Sequence, residues 1–396
     1  MKILEIYNNF IPTIGGVEKH IYYLAKCFKK EGEWPIVFSW DAKKPSLEVI
    51  DGIPVYRINM PKILSLLRYP FVIYLALIIF RLTKKWKIDI IHAHDYLNGV
   101  AAAISSIFSK KPVIVTFHLP IQNTTWISGK IKPSIVIEWP LKIFFILKCS
   151  LIICVSEYTK KESLKLFKYN NNKFIVIRNW VPPDTSVMLD NQSTIHVNYS
   201  HFQNYILTVG RLSEAHKRFS LAILALRLLR DKGYDINLVI VGGDGPDKNY
   251  YIRLSKKLEV MDNVFLLTNI PEDQLKHLYR NSEIFILPSL YEGLPLVLIE
   301  ALKFSKPVIA TNVGGVPEII KHGYNGFLIP PDDVKKLVQK IEVLLNNLSL
   351  KELFGKRSLL IYNQMFSEKN CRRTVILFRY LAGKSQNRQQ NMNMNC

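Results

Sequence analysis

Short apolar runs alternate with amphipathic helical stretches along most of the chain, and this rhythm starts twice. The first series of runs is KILEIY (2–7), WPIVFSW (34–40), IDIIHAH (88–94), PVIVTFH (112–118), LIICVS (151–156) and FIVIRN (174–179). The second is YILTVG (205–210), INLVIVGG (236–243), NVFLLT (263–268), IFILPS (284–289), PVIAT (307–311) and GFLIP (326–330). Runs this short and this continuously apolar suit strands covered on both faces, the situation in parallel sheets flanked by helices. Between the first two runs, Val17, Ile21, Leu24, Ala25 and Phe28 recur at helical spacing, and a helix over Ser220–Arg230 follows the first strand of the second series. The polar stretch 181–204 between the series reads as a linker, and 396 residues suit two domains. The expected fold class is therefore α/β, with two doubly wound parallel sheets whose strand C-terminal ends face each other across a cleft, where ligands bind. The polar tail SQNRQQNMNMNC is expected to be disordered.

Composition narrows the function classes. The five cysteines, Cys27, Cys149, Cys154, Cys371 and Cys396, are odd in number and irregular in spacing. That argues against a disulfide framework or a zinc motif and suits a reducing cytoplasm. KILEIY enters a strand directly, with no charged-then-apolar signal segment before it. Charge is uneven: Arg57 to Arg178 holds 19 Lys and Arg against 5 Asp and Glu, a net +14 of the chain's +21. A basic half implies an anionic surface, a polyanion or a phosphorylated substrate as partner, unless it is only a solvated lysine-rich face. The apolar core Phe71–Phe80 is 10 residues long between Arg68 and Arg81, about half of what a span needs, so a buried or surface-lying helix is expected. Ile135–Ile153 is also apolar but is interrupted by Glu138, Pro140, Lys142 and Lys148.

Four segments carry chemistry. In EGLPLVLIE (292–300) a strand ends, a Gly–Pro turn follows and an apolar helix opens near Pro295. Proline is tolerated there because the first-turn N–H groups lack helical partners anyway. The N–H groups of Leu296 and Val297 then offer an anion site. Glu300 stands in an otherwise apolar run, so its carboxylate needs hydrogen-bond donors, and sugar hydroxyls are suitable. Glu292 precedes the helix, near where a sugar on such a phosphate would lie. A capping acid and a salt-bridged acid would leave the same pattern. In VGRLSEAHKR (209–218), Arg211 and Lys217 flank a strand end and could clamp a diphosphate, or be two surface bases. In IGGVEKH (14–20), Gly15 and Gly16 precede a helix and admit close backbone approach, or form a plain turn. VIVGGDGPD (239–247) lacks the third glycine of a dinucleotide loop, since Lys248 stands there, and no GxxxxGK[ST] phosphate loop is present. His118 ends a strand and either faces the cleft or is structural. His92 and His94 share one strand side with Asp95 next in sequence, but no third histidine stands close by in the sequence, so no metal is assigned.

Taken in order, these blocks resemble glycosyltransferase family 4, retaining enzymes of the GT-B fold. The likeness spans about Met1 to Gly383 and includes the glycine pair, DIIHAHD, TFH, VSE, NW after IVIR, VGRLS…HK, VGGDGP, LPS…EGLPLVLIEAL, PVIATNVGGVPEII and NGFLIPPDD. The resemblance implies an acceptor-binding Rossmann-like domain over 1–180, a linker over 181–204 and a nucleotide-sugar-binding domain over 205–370. A helix over 371–384 would pack back on the first domain, ahead of a disordered tail over 385–396. It implies that Gly16 approaches the donor diphosphate, that Arg211 and Lys217 bind it, and that Glu292 contacts the transferred sugar. The backbone of Gly293, Leu294, Pro295, Leu296 and Val297 would hold sugar and phosphate, Glu300 the ribose hydroxyls, and Asn269 and Ile270 the base. His118 would lie beside the sugar near the acceptor. Two departures stand out: Leu294-Pro295 replaces the usual Phe-Gly, and Leu119 stands where an Asp is frequent.

The implied reaction moves a hexose-type sugar from a UDP- or GDP-sugar to a hydroxyl on a lipid-linked or glycan acceptor. It implies front-face attack, with cations and the helix N-terminus stabilising the leaving group in place of a metal or other cofactor. An anionic membrane surface is the expected partner, on the cytoplasmic face. Pro61–Trp86 and the stretch holding Trp126, Lys130 and Lys132 mix bases with aromatic and aliphatic residues. Nucleic acid is not expected, since no zinc finger, RRM signature or basic helix is present. The rival readings are a nucleotide-sugar epimerase on the same fold, a nicotinamide dehydrogenase and a non-enzymatic basic membrane- or nucleic-acid-binding protein.

Overall fold

The computed structural model describes residues 1–13, 15–60, 68–120, 143–165, 171–183, 203–243 and 245–394, with backbone alone at 68–69, 171 and 386–394. Most of the linker segment, and Trp126, Lys130, Lys132, Lys62, Leu66 and Leu67, lie outside the described residues. Two compact units emerge, one of Met1–Thr13, Val17–Asn179 and Lys369–Cys396, the other of Ile14–Gly16 and Trp180–Glu368.

The first unit is built on eight strands: β1 (Lys2–Ile6), β2 (Trp34–Ser39), β3 (Asp41–Ile50), β4 (Ile53–Asn59), β5 (Ile90–His94), β6 (Val113–Phe117), β7 (Leu151–Cys154) and β8 (Phe174–Val176). Their spatial order is β3-β4-β2-β1-β5-β6-β7-β8, and every neighbouring pair is parallel except β3–β4. The chain winds outward from β1 in both directions, so the order reverses between β1 and β5. Such a switch point opens a crevice at the strand C-terminal ends. The core gathers Leu4, Ile6, Ile91, Ala93, Val113, Val115 and Ile152 against helix residues such as Leu75, Ile79 and Val100.

The hairpin β3–β4 departs from the expected strand list. β3, DAKKPSLEVI, is polar, carries Pro45 and lies exposed at the sheet edge, where proline and lysine are tolerated because one side of the strand needs no partner. Asp51 and Gly52 both have positive φ, 48° and 72°, which is what a two-residue turn between twisted strands requires.

The helix Arg68–Trp86 accounts for the apolar run Phe71–Phe80. Val72, Leu75, Ala76, Ile79 and Leu82 face the core, whereas Ile73 (57 % exposed) and Leu77 (52 % exposed) face outward with Arg81, Lys84 and Lys85. Among the described residues no helix is long and apolar enough to cross a membrane.

The helix Lys369–Met394 belongs to the first unit. Phe378 packs 5.2 Å from Phe28 and 5.0 Å from His92 between ring centroids, and Arg379 donates to Glu33 at 2.6 Å. Its backbone stays helical through Met394, over the segment expected to be disordered. Gln, Arg and Met are good helix formers, so propensity can extend an anchored helix past its packed part. Cys27 and Cys371 form a disulfide across 344 residues, a single bridge where the irregular spacing argued against a disulfide framework. The bridge joins two helices that only the tertiary fold brings together, and spacing along the sequence holds no trace of it.

The second unit has six strands, β9 (Tyr205–Val209), β10 (Asn237–Gly242), β11 (Val264–Thr268), β12 (Ile284–Leu287), β13 (Val308–Thr311) and β14 (Gly326–Ile329). All pair in parallel, in the order β11-β10-β9-β12-β13-β14. The doubly wound pattern recurs, with its switch point between β9 and β12.

Candidate functional site

In the second unit the switch point gathers the motif residues. β9 runs into Gly210 and Arg211, and the single-turn helix Glu214–Lys217 follows. Leu290 N–H donates to His216 O at 2.8 Å, which ties this turn to the loop after β12. Lys217 Nζ then lies 2.6 Å from Glu292 Oε1, with side chains 17 % and 9 % exposed. The stem of Lys217 runs across Gly210, where an added Cβ would stand 3.1 Å from Lys217 Cε. Gly314, at φ +55°, lets the backbone come so close that a Cβ would collide with the Glu292 carbonyl oxygen. The loop of VGGDGP is likewise a close-packing device: a Cβ on Gly245 would collide with the Leu212 carbonyl oxygen.

The helix Leu296–Lys303 begins just past Glu292, with Pro295 at its N-cap rather than inside its first turn. Leu296, Leu298, Ile299, Ala301 and Leu302 are buried, each large aliphatic side chain contributing roughly 1.5–3 kcal/mol. Glu300 is buried among them, and its Oε2 accepts a hydrogen bond from Tyr279 OH at 2.9 Å. That bond offsets part of the cost of burying a carboxylate. Leu296 and Val297 carry first-turn N–H groups, which have no carbonyl one turn earlier within the helix. After β11, Asn269 takes a left-handed φ of 55° and donates its N–H to Gly242 O at 2.9 Å, with Ile270 next to it. Arg211 is exposed at the β9 end.

The first unit holds a different assembly at its own switch point. Glu5 on β1 and His92 on β5 stand opposite each other in register, and His94 lies two residues further on the same face. All three are fully buried. Glu5 Oε2 is 2.7 Å from His94 Nε2 and 2.8 Å from His92 Nδ1. His94 Nδ1 is 3.1 Å from Nε2 of His118, which follows β6 and is only partly buried. His20, on the helix Gly16–Lys30, packs against His118 and His94 with centroids 4.8 and 5.7 Å away. Burial, and then repulsion from His92, lowers His20 to about 3. Burial first and neighbouring imidazoles second hold His94 and His118 well below the ordinary range. Asp95 has φ 95° and caps the helix Tyr96–Ser109 by accepting Asn98 N–H at 2.9 Å. Burial raises its carboxyl to about 7. The histidine that sequence proximity failed to supply is supplied in space. Ring nitrogens of His20, His94 and His118 lie within 4.8 Å of one another, as do the ligand atoms of Glu5, His92 and His94, so each set has the reach to hold a metal ion. Leu119, next to His118, is exposed.

Two family models divide the chain between them. Glycosyltransferase Family 4 matches residues 14–185, and Glycosyl transferases group 1 matches residues 195–361, the part that holds the Lys217–Glu292 pair. The chain belongs to the family-4-type glycosyltransferases. The transferase is 23 % identical over 399 residues to a phosphatidylinositol N-acetylglucosaminyltransferase subunit from Arabidopsis thaliana, covering 96 % of this chain and 86 % of that one. Its fold matches sucrose-phosphate synthase from Thermosynechococcus elongatus, with TM-score 0.78, 19 % identity and coverage of 97 % and 99 %. It also matches Anabaena HepE solved in complex with UDP-glucose, with TM-score 0.71, 18 % identity and coverage of 99 % and 100 %. The two parallel-sheet units are thus those of the GT-B glycosyltransferases.

Of the residues singled out from the transferase's sequence, Arg211, Lys217, Glu292 and Gly293–Val297 gather at the second switch point, with Glu300 in the helix behind them. Gly16 opens the helix Gly16–Lys30, exposed and with nothing within 4 Å of where a Cβ would stand. Tyr279, Glu5, His20 and the direct Lys217–Glu292 bond were not anticipated. A charged residue inside the buried run KILEI is a signal that could have found Glu5. The other three depend on contacts between elements distant in sequence.

Proposed function

We propose that the transferase moves a hexose-type sugar, with retention, from a nucleoside-diphosphate sugar to a hydroxyl on a lipid-linked or cell-surface glycan intermediate. The observation that carries this reading is the Lys217–Glu292 pair, 2.6 Å apart at the switch point and beside the N-terminus of Leu296–Lys303. A donor divides that pair by charge. Its diphosphate draws Lys217, Arg211 and the first-turn N–H groups, and its sugar hydroxyls donate to Glu292 in place of the ammonium. Glu300 takes the ribose hydroxyls while Tyr279 holds its other side, and Asn269 and Ile270 border the base. Gly16 leaves room for the diphosphate. Arg211, Lys217 and the helix N-terminus stabilise charge on the leaving phosphate, which takes the acceptor proton during front-face attack. The UDP-glucose in HepE supports a nucleotide-sugar donor.

The acceptor side rests on charge. Ile73, Leu77, Arg81, Lys84 and Lys85 form an apolar-basic face on one helix. Each base near an anionic leaflet contributes roughly 1 kcal/mol, so the first unit docks reversibly on the cytoplasmic side of a membrane bearing the acceptor. The phosphatidylinositol in the plant relative's name supports a lipid-borne acceptor. The test is transfer and hydrolysis across a panel of UDP- and GDP-sugars, with and without excess EDTA. One donor is expected to be turned over with retention in EDTA. Metal-dependent turnover would overturn the metal-free mechanism, and an isomerised nucleotide-sugar formed without acceptor would overturn transfer.

A further inference from the structure

We propose that Glu5 and His94 are positioning residues that set the tautomer of His118, keeping its Nε2 protonated and presenting its Nδ1 as a hydrogen-bond acceptor. The proposal rests on the reading of His118 as the acceptor-side residue of a glycosyltransferase, and it adds a chain of groups behind that ring.

The chain follows from counting protons. With Glu5 taken as the carboxylate, the premise that the spectrum below tests, it can only accept, and the 2.7 Å contact between Glu5 Oε2 and His94 Nε2 then places the proton on His94 Nε2. A neutral His94 then has a lone pair at Nδ1. That atom is 3.1 Å from His118 Nε2. Two facing imidazole nitrogens cannot both carry a proton, nor hydrogen-bond when neither does, so His118 Nε2 is the donor. The neutral His118 ring is left with an unprotonated Nδ1. The rings of His94 and His118 are 5.4 Å apart between centroids and inclined by 26°. The bonded nitrogens therefore point at each other, as a shared proton requires. A metal held jointly by both would need the lone pairs to converge off that line.

The backbone keeps His94 in place. Its carbonyl accepts from Asn98 Nδ2 at 2.9 Å, and Asp95 after it takes the rare φ of 95°, a conformation that persists only where surroundings enforce it. The groups facing the chain are Glu5 from β1, His20 from the first helix, His92 and Asp95 from β5 and the turn after it, Thr116 from β6, and Phe378 from the helix Lys369–Met394. Tyr7 lies 6.4 Å from His94. His92 Nε2 is held at 2.8 Å by Thr116 Oγ1. The chain runs outward from a sealed carboxylate to the one partly exposed ring. A substrate hydroxyl reaching His118 would therefore meet an acceptor nitrogen on an uncharged ring.

The test is two-bond ¹H–¹⁵N spectroscopy of the histidine-labelled protein, with His118 assigned from the signals lost in His118→Gln. The expected wild-type pattern is the Nε2–H tautomer, unchanged between pH 6 and pH 8. In Glu5→Gln the amide can donate as well as accept, so His118 becomes a mixture of tautomers. There kcat for transfer falls on the order of 10- to 100-fold, as when a group orienting a histidine from behind is removed, and donor KM stays put. An Nδ1–H pattern in wild type, a metal-type shift at Nε2 that EDTA reverses, or a Glu5→Gln protein with unaltered tautomer and kcat would each overturn the chain. The wild-type spectrum stands even if Glu5→Gln fails to fold. It also needs no turnover, so a protein with the expected tautomer and no transfer would sink the functional reading and leave this one intact.

Discussion

The two units wind their sheets the same way and fill their switch points in opposite ways. The second places full charges at its switch point: an exposed Arg211, and Lys217 and Glu292 opposed as a largely buried ion pair. The first seals a carboxylate behind a row of imidazoles that burial keeps uncharged. One topology thus supports two electrostatic regimes. On the proposed function, the charged site would take the diphosphate and the histidine chain the uncharged acceptor hydroxyl.

The largest expected effect lies in the charged half. Glu292→Gln should cut transfer by about 10³ while nucleotide binding survives, because the amide keeps one acceptor oxygen but loses the negative charge and the second acceptor that a carboxylate offers to sugar hydroxyls. Lys217→Ala should cost on the order of 10²–10³ in kcat, as for loss of one donor to a developing anion. Steady-state kinetics beside calorimetric UDP and GDP titrations would separate these outcomes. Two mutants at wild-type rate would dissolve the contrast between the halves.

A smaller effect is expected behind the ion pair. Glu300→Ala should weaken nucleotide binding by about tenfold, and Tyr279→Phe by only a few-fold, since a typical hydrogen bond contributes about 0.5–1.5 kcal/mol. Titration of the nucleotide alone is the measurement. A loss in kcat with unchanged nucleotide affinity would move Glu300 from ribose to chemistry.

The smallest effect tests the neutral half by pH. His20, His94 and His118 have folded values below their unfolded 6.5, so the unfolded chain binds the extra protons. Their contribution is complete above about pH 6.5 and is lost as pH falls below that value, for His20 down to about 3. Asp95 opposes this: its folded value of about 7 lies above its unfolded 3.8, so it contributes below about pH 4 and loses that contribution as pH rises toward 7. Three groups against one should lower the melting temperature by a few degrees from pH 7 to pH 5, followed by calorimetry. A rise over that interval would mean that the imidazoles are not held neutral.

Continuous apolar runs made both sheets legible, because strands buried on two faces must be apolar throughout. The edge strand β3 stayed hidden for the converse reason, since its exposed, lysine-bearing residues have nothing to bury. The Asp51-Gly52 dipeptide was a hairpin signal there to be read. At the site, EGLPLVLIE and VGRLSEAHKR stand out through local chemistry alone. The bond between Lys217 and Glu292 spans 75 residues, and the one between Glu5 and His94 spans 89. Such pairings are set by strand order, which no local pattern encodes.

The helix Lys369–Met394 makes the first unit discontinuous in the chain. On a ribosome adding about 5–20 residues per second, roughly 10–40 s separate Asn179 from the start of that helix. Throughout this interval Phe28, Glu33 and Cys27 await their partners Phe378, Arg379 and Cys371. The second unit, by contrast, has all six of its strands by then. Order of synthesis and order of completion are therefore reversed: the half translated first is finished last, and a nascent chain halted before Lys369 would present an unclosed apolar seam to chaperones.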